Sequence, residues 1–168
     1  DPGSPARARR GVTARRIRSS LKAVLDTNVI VSGLINAAGP PGVVLRAARE
    51  RRVRIVTSPA INEEVLDVIR RPRLARYGLD RHVADIAFLL WETAEVVAAP
   101  PPVVASPDPD DDKFLAAAVA GHARFVVSGD ASGLLSLRRY RRVRIVTPER
   151  FAALVGAPGS VDRPRERA

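Results

Sequence analysis

Residues 106–117 read SPDPDDDKFLAA and hold four aspartates, Asp108, Asp110, Asp111 and Asp112, in a chain whose formal net charge is +10. Carboxylates crowded in this way serve one of two purposes. At the start of a helix they accept hydrogen bonds from free N–H groups and complement the helix dipole, each worth about 0.3–1 kcal/mol. Turned inward beside further acids they repel one another, and a cation or a proton relieves the repulsion. Four aspartates are more than capping needs, yet the run alone leaves both readings open.

Other acids favour the second. Asp26 ends the apolar run LKAVLD and Asp130 ends RFVVSGD. Between residues 58 and 72, Ile61, Val65, Val68 and Ile69 share one face at helical spacing; Glu64 falls on its border, Glu63 and Asp67 on the solvent side. The same geometry over 109–121 sets Asp111 above the face of Phe114, Leu115, Ala118 and Val119. A frayed helix start would put Asp112 there instead. Asp26, Glu64, Asp111 and Asp130 are therefore the candidate catalytic acids and metal ligands, with Asp112 a further candidate ligand. An all-oxygen set suits a hard cation, Mg²⁺ or Mn²⁺. Zinc is poorly served by a chain with no cysteine and two histidines. His82 and His122 read as surface or helix-end residues.

Positioning these acids requires strands and helices in alternation. LKAVLD (21–26), VRIVTS (53–58), EVVA (95–98), RFVVSGD (124–130) and VRIVT (143–147) have the short apolar character of buried strands. Helical patterns cover 39–52, 58–72, 80–94, the stretch from the aspartates to Gly121, and PERFAALVG (148–156). Such alternation predicts an α/β domain with a mainly parallel sheet, whose ligands gather outside the carboxyl ends of the strands. Asp26 and Asp130 lie at that edge. APPPVVASPDP (99–109) reads as an extended connector inside the domain.

The chain of 168 residues fits one domain, 21–156. The flanking segments are polar and rich in arginine, proline and glycine, and both 1–20 and 157–168 are expected to be disordered. They carry +5 and +1, leaving +4 for the body. Arginine-rich arms suit a polyanion such as nucleic acid, although arginine-rich genome composition accounts for them equally well. Without cysteine there is neither a disulfide nor a thiolate nucleophile, and a reducing cytoplasm is the expected setting. No apolar window is long enough to span a membrane, and no apolar core follows the first arginines to make a secretory signal.

The segments VLDTNVIVSGL (24–34), SPAINEEVLDVIRRPRL (58–74), DPDDDKFLAAAVAGHARFVVSGD (108–130) and VRIVTPERFAAL (143–154), in this order and spacing, cover essentially all of 21–156. Together they resemble the PIN domain ribonucleases, nearest the VapC-like toxins of bacterial toxin–antitoxin pairs. The resemblance implies a three-layer α/β/α fold with a mainly parallel central sheet. It implies a Mg²⁺- or Mn²⁺-dependent endoribonuclease acting on RNA, a cognate antitoxin and a homodimer. The family's four acids fall on Asp26, Glu64, Asp111 and Asp130, and its supporting polar positions on Asn28 and Ser128. Asp112 departs from the Asn or similar residue expected there, and Ser132 stands where the family often has another aspartate.

Arg138, Arg139, Arg141, Arg142 and Arg144 follow Asp130 in LRRYRRVR and are the candidate RNA-binding surface, with Tyr140 able to stack on a base. A solvated hairpin is the plainer reading of the same residues. Trp91 reads as a core residue or a dimer contact. An RNA-processing nuclease without an antitoxin, and an RNA-binding module with a vestigial site, remain the competing readings.

Overall fold

The computed structural model of the protein describes residues 21–156; the two arginine-rich tails lie outside them. Six strands form one sheet: β1 (Leu21–Leu25), β2 (Val53–Thr57), β3 (Glu95–Val96), β4 (Phe125–Val127), β5 (Arg139–Tyr140) and β6 (Val143–Val146). Their order is β3-β2-β1-β4-β6-β5, parallel throughout except for β5 against β6. The inner strands are apolar because helices flank the sheet and both faces of a strand must be covered. Ala23, Val24, Leu25, Val126 and Val127 are almost wholly buried.

The helices are α1 (Thr27–Ile35), α2 (Pro40–Arg49), α3 (Pro59–Ile69), α4 (Val83–Ala87), α5 (Asp112–Ala120), α6 (Leu134–Leu137) and α7 (Pro148–Gly156). Proline at the first turn starts α2 and α3, where its missing N–H costs nothing. Ser58 caps α3, its hydroxyl accepting from the Ile61 N–H. α5 lies against β1, β2, β4 and β6, while α2 packs on α1 and α7.

Three departures from the sequence pattern stand out. Helix α1 has no amphipathic period to announce it, because Thr27, Val29, Ile30, Val31 and Gly33 are all buried. The single helix predicted over 80–94 is instead a 3-10 turn (Leu79–His82), the short α4 and a π-helical segment (Phe88–Thr93). Trp91, within that segment, is 43% exposed and so is no core residue.

Strand order reverses at β1: the chain builds outward to β2 and β3, then returns to place β4 on the other side. A crevice opens at the carboxyl edge of such a switch point. Asp26 follows β1 directly, and Asp130 stands three residues beyond β4.

Candidate active site

Asp26 links three elements. Its backbone N–H donates to the Val127 carbonyl at 3.0 Å, tying the end of β1 to β4. Its side chain caps α1, Oδ1 accepting from the Asn28 N–H at 3.1 Å. Its Oδ2 accepts from the Ser128 hydroxyl at 2.7 Å, and the Ser128 oxygen accepts from the Asp130 N–H at 3.2 Å. Ser128, fully buried, thus positions both strand-end aspartates. The contact of Asn28 with Asp26 is made by its backbone; its side chain is exposed.

Glu64 is half-buried on α3, while Glu63 and Asp67 are exposed, as the helical spacing predicts. The Thr27 hydroxyl donates to Glu64 Oε1 at 2.6 Å, and Lys113 forms an ion pair with Oε2. Asp111 ends a 3-10 turn (Pro109–Asp111) just before α5. Asp130 is exposed, its Oδ1 accepting from the N–H and hydroxyl of Ser132 at 3.0 and 2.9 Å. Ser132, at a position where the sequence departs from the family, therefore orients Asp130.

These acids share a field. Burial pushes the Asp26 carboxyl above its ordinary range, and the charges of Glu64 and Asp130 add to it; the Ser128 hydroxyl and the Asn28 N–H pull the other way. Asp111 is pushed up to about 6, first by burial and then by the charges of Asp26, Asp108 and Asp130, with Lys113 opposing. The Ser132 hydroxyl and the Gly133 and Ser132 N–H groups hold Asp130 below the usual carboxylate range.

Among the described residues no three acids or histidines stand close enough to enclose a metal ion as they are. The donor chemistry nevertheless fits a hard cation, since the cluster offers carboxylate oxygens and no nitrogen or sulfur ligand. Gly133 supplies a geometric sign of the same fit. A Cβ there would stand 2.6 Å from Asp130 Oδ2 and 2.9 Å from Asp111 Oδ2, so a larger residue would push these carboxylates out of their present positions. Asp26, Asp111 and Asp130 are turned into one field, whereas Glu64 is occupied by Lys113.

Other members of the aspartate run bond to the backbone around them. Asp112, offered as a metal ligand, is the buried member of the run, and its Oδ1 accepts from the Ala105 and Ser106 N–H groups at 3.0 and 2.7 Å. It pins the proline-rich connector to α5. The spacing of residues 109–121 predicts one α-helix; the first turn is instead 3-10, which rotates Asp111 away from the buried face and brings Asp112 onto it. Asp108 caps the turn by accepting from the Asp110 N–H, and Asp110 is exposed.

The candidate RNA-binding arginines lie on a hairpin at the β5 edge of the sheet. Arg139 pairs with Arg144 and Tyr140 with Val143, so Arg141 and Arg142 form the turn at the amino end of β6. The acids lie beyond its carboxyl end, about 13 Å or more away at ~3.3 Å per residue. Arg139 lies opposite Arg144, and the Arg138 carbonyl accepts from the Ile145 N–H at 2.9 Å, nearer that carboxyl end. His82 pairs with Asp85 at 3.5 Å and His122 is exposed beyond α5. Thr27, Lys113 and Gly133 escaped the sequence reading, although a glycine three residues after a strand-end aspartate was visible.

The sequence model of the PIN domain family matches residues 22–132. This chain belongs to the PIN domain family. The match takes in Asp26, Glu64, Asp111 and Asp130, and ends ahead of α6 and β6. An uncharacterized protein of Methanocaldococcus jannaschii is 30% identical over 140 residues, spanning 78% of this PIN domain chain and 89% of the relative. Among solved structures, VapBC2 from Rickettsia felis bound to a DNA fragment from their promoter is similar at a TM-score of 0.49 and 13% identity, covering 75% of this chain and 98% of that one.

Proposed function

We propose that this PIN domain protein is a Mg²⁺- or Mn²⁺-dependent endoribonuclease, the toxin of a toxin–antitoxin pair acting in the cytoplasm. The observation that carries the catalytic part is the shared field of the acids. Ser128 ties the Asp26 carboxylate to the Asp130 backbone, and Asp130 and Asp111 both bring a carboxylate oxygen over Gly133. Burial, then the charges of Asp26, Asp108 and Asp130, raises Asp111 to about 6. A domain that only bound RNA phosphates would gain nothing from gathering negative charge at its crevice.

Asp26, Asp111 and Asp130 would hold the cation, with Glu64 joining once it leaves Lys113. When bound, the cation would activate water for attack on the phosphodiester and neutralise charge on the phosphoryl oxygens. Ser128 holds Asp26 and the Asp130 backbone in register, and Ser132 fixes the Asp130 carboxylate. Thr27 orients Glu64. The RNA substrate, the antitoxin and the homodimer rest on the resemblance of the sequence segments to VapC-like toxins. Phe88 and Trp91, 58% and 43% exposed, add apolar surface suited to a protein partner. No helix among the described residues is long and apolar enough to cross a membrane.

The test incubates purified protein, freed of any co-purifying partner, with labelled structured RNAs in Mg²⁺, Mn²⁺ or EDTA, alongside Asp26→Asn. Cleavage that requires the metal and disappears in the variant is the expected result. Tight RNA binding with no cleavage in either metal would overturn the catalytic reading.

A further inference from the structure

The chain has 28 basic residues, and only Lys22 and Lys113 are lysines. One of these two stands inside the acid cluster. The Lys113 ammonium pairs with Glu64 Oε2, donates to the Asp110 carbonyl at 2.6 Å and lies 5.2 Å from the centre of the Phe114 ring. Its charge is also felt by Asp111, whose carboxyl it draws downward. It therefore joins α3 to the start of α5, in a place where carboxylates otherwise repel one another.

We propose that Lys113 is a resident counter-ion that competes with the divalent cation for Glu64. This rests on the metal-dependent reading of the site. In the metal-free protein the ammonium neutralises Glu64 and keeps it turned toward α5. Binding of a divalent cation by Glu64 requires that pair to open. The displaced side chain has somewhere to go, because Lys113 also lines a groove of about 430 Å³ with Pro59, Ala60, Pro100, Pro102 and Ala116. A lysine suits exchange of this kind: it is a point charge on a flexible stem, whereas a guanidinium would grip the carboxylate with two parallel hydrogen bonds.

The roles make opposite predictions for metal affinity. If Lys113 merely held Glu64 in position for the cation, its loss would weaken binding. As a competitor, its loss strengthens binding. Calorimetric titration with Mn²⁺ is expected to give the order Lys113→Met tightest, wild type next, Lys113→Arg weakest. The Met variant gains roughly three- to tenfold. Methionine keeps an unbranched apolar stem without the charge, and a thermal melt of each variant establishes that it is folded.

A second measurement needs no variant. With ¹³C at the lysine ε position, the protein gives two signals, and that of Lys113 is expected to move on saturation with Mg²⁺. Lys22, paired with Glu95 at 2.7 Å and located at the start of β1, is the internal control. Weaker binding by Lys113→Met, or an unmoved Lys113 signal at metal saturation, would overturn the competition while leaving the metal site standing. Absence of binding by every form would overturn the metal-dependent reading and the competition with it.

Discussion

Replacing Asp111 by Asn should make the metal-free protein more stable at neutral pH, and the gain should vanish in acid. The side chain keeps its shape and loses its charge. In the folded state its carboxyl rises from 3.8 to about 6. That span corresponds to about 3 kcal/mol at ~1.36 kcal/mol per pH unit for a group cut off from solvent. Asp111 is only half-buried, and screening reduces the figure to about 1–1.5 kcal/mol.

The sign follows from proton binding. Between pH 3.8 and about 6 the folded state holds the proton on Asp111 more tightly than the unfolded chain does, so stability falls as pH rises through this window. Above it the full cost is present; below it there is none. At pH 7.5 in EDTA, Asp111→Asn should melt about 2–6 °C above the wild type, a gap that closes toward pH 4. Mg²⁺ should raise the wild-type melting temperature and affect the variant much less. A variant that melts below the wild type at pH 7.5, or an advantage that persists unchanged at pH 4, would refute the claim that Asp111 is held against its neighbours' charge.

Two further substitutions separate the remaining roles. Gly133→Ala puts a methyl 2.6 Å from Asp130 Oδ2 and 2.9 Å from Asp111 Oδ2, and should weaken Mn²⁺ binding about tenfold by calorimetry while the circular dichroism spectrum stays the same. Asp112→Ala leaves the Ala105 and Ser106 N–H groups without their acceptor, and should cost about 2–3 kcal/mol of stability in denaturant melts with little change in metal affinity.

Strands were legible because buried parallel strands are continuous apolar runs, and both strand-end aspartates could be read where LKAVLD and RFVVSGD turn polar. Glu64 was legible because α3 is a regular amphipathic helix, with Val65 and Val68 fixing its inner face. Asp111 and Asp112 could not be separated, since a 3-10 first turn has a different angular step from the α-helix that the spacing assumes. Helix α1 was missed because a helix buried on most sides has no period to find. The place of Arg138–Arg142 could not be read from closeness in sequence to Asp130, because α6 and the hairpin carry the chain along the sheet edge between them. Lys113 and Glu64 meet across α3 and α5, a tertiary contact that neither helix pattern contains.

The central position of β1 also bears on when the site comes into being. Ser128 and Asp26 are 102 residues apart, yet the hydroxyl of one holds the carboxylate of the other. A nascent chain that has emerged only as far as α5 already carries Asp26, Glu64 and Asp111, but lacks β4, Ser128 and Asp130. Closing so long a loop is entropically slow, and non-local pairings of this sort form late in folding. A partly made chain therefore holds no assembled acid cluster, and truncation anywhere ahead of Phe125 would leave the acids without the strand that assembles them.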